Sequence, residues 1–121
     1  DGVSEAIGHA ACLLAYSSGA HAIICCTKTG RTAQLVAKHR SQTPIIAVSP
    51  SLSVVRRLML TWGVFPQLSD EFETTGSMVS MALELARQSG MVARGSRVVV
   101  TGGAADAEPG QTDFLRVASI S

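Results

Sequence analysis

A chain of 121 residues, 46% hydrophobic and 16% charged, is long enough to pack one domain and too apolar to stay disordered. Its formal net charge of +1, with no aromatic residues interleaved among the basic ones, argues against nucleic acid as a partner. The longest apolar runs, 22–26 and 44–48, are far below the ~20 residues that span a bilayer, and residues 1–5 lack the basic and apolar segments of a signal peptide, so a cytoplasmic protein without a membrane partner is expected.

Aromatic residues make up only 4% of the chain, so the core must be aliphatic, which suits helices on a parallel sheet. Cys25 and Cys26 adjoin within an apolar run and, with Cys12, read as free thiols in a reducing compartment rather than a disulfide framework. The chain does not begin with Met, which suggests a cut or processed piece of a longer protein.

Val3, Ile7, Ala10, Ala11 and Leu14 recur at helical spacing and Gly19 follows as a stop, predicting an opening helix. Residues 22–26 form a short all-apolar strand that runs into a loop at 27–30, and a helix begins near Arg31. The cycle repeats with a strand at 44–48, a turn and cap at 49–51, and a helix over 52–61 that Gly63 closes. Residues 64–68 read as a third strand, placed at a sheet edge because Pro66 removes a ladder donor. An acidic loop at 69–73 precedes a long amphipathic helix marked by Met78, Met81, Ala82, Leu85 and Ala86, with Gly90 and Gly95 at its exit. A strand at 97–101, a small-residue loop at 102–113 and an alternating strand at 115–120 finish the chain. Strands alternating with helices predict an α/β fold: a three-layer αβα sandwich on a five-stranded, mostly parallel sheet with an antiparallel last edge strand.

The segment Thr27-Lys28-Thr29-Gly30-Arg31-Thr32 sits where a buried strand gives way to a helix, the edge at which open α/β sheets bind ligands. Three hydroxyls, two cations, a glycine that admits close backbone approach and unpaired amides suit a phosphate. In the plainer reading Thr29 caps a helix and Gly30 turns the chain. The glycine pattern of a nucleotide P-loop or dinucleotide fingerprint is absent. The loop from Thr101 to Thr112 follows a strand at the same edge and reads either as a lid over the first loop or as a solvated connection.

Taken in order, His21-Ala22-Ile23-Ile24 before Thr27-Lys28-Thr29-Gly30-Arg31-Thr32-Ala33, then Pro44-Ile45-Ile46-Ala47-Val48, then Trp62-Gly63-Val64-Phe65-Pro66, resemble successive blocks of the pyruvate kinase C-terminal domain. Val98-Val99-Val100-Thr101-Gly102, Pro109-Gly110-Gln111-Thr112-Asp113 and Leu115-Arg116-Val117 resemble that family's last two strands and effector loop. The resemblance covers essentially all of residues 1–121, with no room for the catalytic barrel and lid domains. It implies an allosteric effector-binding and oligomerisation domain of a glycolytic transferase, with a phosphorylated metabolite held by Thr27, Lys28, Thr29, Gly30, Arg31 and Thr32 and covered by the loop ending in Gly110 and Thr112. The parent enzyme's phosphoryl transfer between phosphoenolpyruvate and ADP, with Mg2+ and K+, belongs to the missing domains, so no catalytic residue, cofactor or metal site is expected here. The resemblance implies homo-oligomers and, as further partners, the parent's catalytic domains.

The family's handles for a second sugar phosphate are missing. Residues 69–79 contain no Trp or Arg, Met78 stands near the family arginine, and Gly103 stands where a tryptophan can occur. A sugar monophosphate or nucleotide monophosphate therefore fits at least as well as fructose 1,6-bisphosphate. The rival readings are a free-standing paralogue acting on a phosphorylated small molecule and a purely structural domain. His9, His21 and His39 lack a metal-ligand pattern, Trp62 reads as packed, Arg56 and Arg57 as a solvated helix face, and the last strand would allow pairing with a twin strand across a two-fold axis. Thr29→Ala with Thr32→Ala is expected to leave the fold near intact, both positions reading as loop.

Overall fold

Apolar runs without polar alternation belong to strands covered on both faces, and the computed structural model, which describes residues 2–103 and 112–121, places such runs side by side. In chain order the elements are α1 (Gly2–Ser18), β1 (Ala22–Cys26), α2 (Arg31–Ala37), β2 (Ile45–Ser49), α3 (Leu52–Leu58), β3 (Val64–Leu68), α4 (Thr75–Gln88), β4 (Arg97–Gly102) and β5 (Phe114–Ser119). The sheet order is β3-β2-β1-β4-β5. All pairs are parallel except β4 with β5, whose register sets Thr101 against Leu115 and Gly102 against Phe114. β3 is an edge strand, as its proline requires.

Alternate residues of each central strand feed opposite cores. Ile24, Cys26, Ile46, Val48, Val98 and Val100 pack under α4 through Met78, Val79, Ala82 and Ala86. Ile23, Cys25, Ile45, Ala47 and Val99 face the other way, toward α1, α2 and α3. One helix therefore covers one face and three cover the other, the three-layer arrangement expected. Met81 and Leu85 join the α4 side as part-buried neighbours, so that methionine stripe is core. Cys25 and Cys26 are buried, and burial pushes the Cys26 thiol up to about 12 and Cys25 well above the ordinary thiol value, which leaves both unreactive.

Local chemistry sets the helix ends. Gly19 adopts φ 67° and the Ala20 N–H donates to the Ala15 carbonyl at 3.0 Å, closing α1 with a left-handed residue. The Ser51 hydroxyl accepts the Val54 N–H at 3.3 Å, and Thr74 and Ser77 form a reciprocal capping box on α4. The helix expected over 52–61 stops at Leu58, and Met59 is 64% exposed. Leu58 is the last side chain to reach the sheet, and Gly63, at φ 77°, turns the chain into β3. Trp62 lies on this outer path at 75% exposure, so it does not pack; Val64 takes the inward position instead. Among the described residues no helix is long and apolar enough to cross a membrane.

α1 and α2 approach closely where Gly8 meets Leu35, with 3.4 Å from a Cβ built at Gly8 to the Leu35 Cβ. Beside this contact His9 and His39, separate in sequence, meet edge to face with ring centroids 4.7 Å apart. Burial, then the neighbouring His9 and Lys38, hold His39 below the ordinary imidazole value, against an opposing pull from Glu5. A pKa lowered by folding means that the unfolded chain binds more protons between the two values, so stability falls as pH drops below about 6.5. Urea midpoints taken from about pH 7 to about pH 5 should decline less for His39→Gln than for the parent chain. Identical declines would show that this pair does not sense acid.

Candidate functional site

The chain leaves β1 for β2 on one side and reaches β4 on the other, so strand order reverses between β1 and β4. At such a reversal the loops after the two strands part and leave a crevice at their carboxyl ends, where α/β sheets bind ligands. The loop after β1 is the 27–32 segment. The chain after β4 leaves from Gly102, opposite Cys26 in register. The two stretches read separately in the sequence thus open at one place.

Within the first loop the side chains fold the backbone on itself. Thr27 is buried, and its Oγ1 accepts the Gly30 N–H at 2.8 Å. Thr29 Oγ1 accepts the Arg31 N–H at 3.3 Å. Gly30 takes φ 90° and ψ −8°, a left-handed conformation open to glycine at little cost, and its carbonyl accepts the first helical bond from Gln34 N–H at 3.0 Å. Lys28 and Arg31 are exposed beside it. Thr32 is not a loop residue: it lies in the first turn of α2, 2% exposed, its hydroxyl 2.6 Å from that of Thr112. Replacing Thr32 is therefore a change in a buried hydroxyl pair, and the near-neutral effect expected of a loop position does not apply to it. Gly110 lies outside the described residues, as does the rest of the second loop from 104 to 111.

Two residues not anticipated from sequence belong to the site. The Arg57 guanidinium, from the last turn of α3, donates to the Thr29 carbonyl and adds a third cation to Lys28 and Arg31. Ser4, 1% exposed in α1, accepts the Thr112 N–H at 2.9 Å and reaches back to the Thr112 carbonyl at 3.5 Å. The expected reading of Arg57 as a solvated face is half right: the side chain is exposed, yet it holds the loop backbone. Met78 is 2% exposed in the core, so it offers nothing to a ligand. Among the described residues no group of three or more His, Cys, Asp or Glu side chains is placed to hold a metal ion.

The profile of the family described as pyruvate kinase, alpha/beta domain, matches residues 5–118. The chain belongs to that family. It is 40% identical over 114 residues to the pyruvate kinase of Clostridium acetobutylicum, covering 94% of this chain and 24% of that protein. With the pyruvate kinase of Geobacillus stearothermophilus it shares 39% identity over 119 residues, 98% of this chain and 20% of the relative. With pyruvate kinase 2 of Synechocystis it shares 37% over 115 residues, again 20% of the relative's length. The chain thus spans about a quarter or less of the pyruvate kinases it matches, and what it supplies is their α/β domain.

Proposed function

We propose that this pyruvate kinase α/β domain binds a phosphorylated effector on the 27–32 loop and joins subunits, leaving phosphoryl transfer, with its Mg2+ and K+, to the catalytic domains of a parent glycolytic enzyme in the cytoplasm. The observation that carries the reading is the loop's position: it opens at the switch point of the sheet with Lys28, Arg31 and Arg57 around one glycine turn. Lys28 and Arg31 would hold the phosphate through charge and Thr29 through its hydroxyl, Thr27 and Gly30 would shape the turn, and Gly110 and Thr112 would close the far side. Because Met78 is buried and Gly103 carries no side chain, a sugar monophosphate or nucleotide monophosphate suits the site at least as well as fructose 1,6-bisphosphate. For oligomers, β5 is an edge strand with Val117 half-exposed, open to pairing with the same strand of a second copy.

A purely structural domain is the second reading, favoured by the way the Thr27 oxygen pairs with the Gly30 amide and the Thr32 and Thr112 hydroxyls pair with each other. Parallel calorimetric titrations with fructose 1,6-bisphosphate, ribose 5-phosphate, glucose 6-phosphate and AMP separate the two. Saturable binding that weakens about tenfold or more in Arg57→Gln, the loss of roughly one charge-assisted hydrogen bond, supports the effector reading. Absence of binding by all four ligands would leave the structural reading for this chain.

A further inference from the structure

Three hydroxyl residues from separate elements meet beneath the anion loop. Thr32 begins α2, Thr112 precedes β5, and Ser4 lies in α1; they stand 80 and 108 positions apart along the chain in their two contacts. All three are buried, at 2%, 1% and 1% exposure. Each hydroxyl has a single proton, and the 2.6 Å Thr32–Thr112 contact uses one of the two available. Either threonine can donate in that contact. The Thr112 N–H is already committed to Ser4 Oγ at 2.9 Å, and the Ser4 hydroxyl returns to the Thr112 carbonyl at 3.5 Å.

We propose that Thr32, Thr112 and Ser4 form a relay through which an anion on the 27–32 loop is felt by α1, with Thr112 and Ser4 as positioning residues. The inference rests on the phosphate reading of that loop. An ionised phosphoryl oxygen can only accept, so when one accepts from the Thr32 hydroxyl, Thr32 must in turn accept from Thr112. The hydroxyl pair is then fixed with Thr112 as donor to Thr32, and the Thr112 amide donates to Ser4, so the two bonds diverge from Thr112 and couple through the position of that one residue. Residue 112 is thereby drawn toward α2 and α1 together. Without an anion both proton orders are open, and α1 is held less firmly at its first turns.

The test is amide hydrogen exchange along α1, measured by NMR with and without saturating inorganic phosphate and, separately, fructose 1,6-bisphosphate, on the 121-residue chain and its Ser4→Ala, Thr112→Val and Thr112→Ser variants. Phosphate should slow exchange in α1 about fivefold in the parent chain and leave it unchanged in Ser4→Ala. Phosphate affinity should fall about fivefold in Thr112→Val and return in Thr112→Ser, which keeps the hydroxyl. Binding with α1 exchange unaltered, equal slowing in Ser4→Ala, or equal affinities in the two Thr112 variants overturns the relay and leaves the phosphate site standing. Failure of both probes to shift any loop amide of the parent chain overturns the phosphate site and the relay with it. Should Ser4→Ala not fold, the parent measurement and the Thr112 pair still decide.

Discussion

Gly102→Ala is expected to lower the unfolding free energy by about 3 kcal/mol, read as a fall in the urea midpoint at unchanged slope. A Cβ at this position would stand 2.4 Å from the Cys26 carbonyl oxygen and 3.1 Å from the Cys26 Cβ. No real contact of that kind is so short, and neither neighbour can retreat. Cys26 is 2% exposed at the end of β1, paired to β2 on its other side and packed under α4. Relief therefore requires the carboxyl ends of β1 and β4 to part. Those ends carry the two loops of the proposed site, so phosphate affinity should fall along with stability. A loss below about 1 kcal/mol would show that the strands separate cheaply and that the glycine is not needed for their approach.

Gly30→Ala should cost about 2 kcal/mol of stability and weaken phosphate binding at least about tenfold. The residue holds φ 90°, which a Cβ disfavours, and the added atom would meet Val54 Cγ1 at 3.3 Å and Leu58 Cδ2 at 3.5 Å. Val54 and Leu58 are buried and cannot swing away, whereas the Arg57 guanidinium at 3.1 Å is the far end of a flexible side chain and can. Moving it gives up the bond to the Thr29 carbonyl, so the loop loses both its turn and its clamp. Gly30→Asn separates the causes, because asparagine tolerates left-handed backbone but still fills the space. An asparagine variant as stable as the parent would assign the cost to φ; one as weak as alanine would assign it to crowding.

The parallel strands were legible in the sequence for a physical reason. A strand covered on both faces must be apolar throughout, and 22–26, with Pro44 or Ser49 at the margin of its neighbour, stands out as an unbroken run. Edge strand β3 was legible from Pro66, and α4 from its stripe of Met78, Ala82 and Ala86. The 27–32 loop was legible because its residue types and its place after a strand coincide. Arg57 and Ser4 were not: their partners lie 28 and 108 residues away, and no periodicity encodes a contact made by the tertiary fold. Trp62 was misread for the opposite reason, since a large aromatic ring is normally buried and only the early end of α3 puts this one outside.

That outward tryptophan has a practical side. It is the chain's one indole, and at 75% exposure its surroundings change little when the domain unfolds, so intrinsic fluorescence will follow denaturation of this chain weakly. The same indole, with Met59 and Leu60 also exposed beside it in sequence, makes a built-in optical label for anything that comes to cover that rim: a blue shift on mixing with another protein would report contact there without any attached dye.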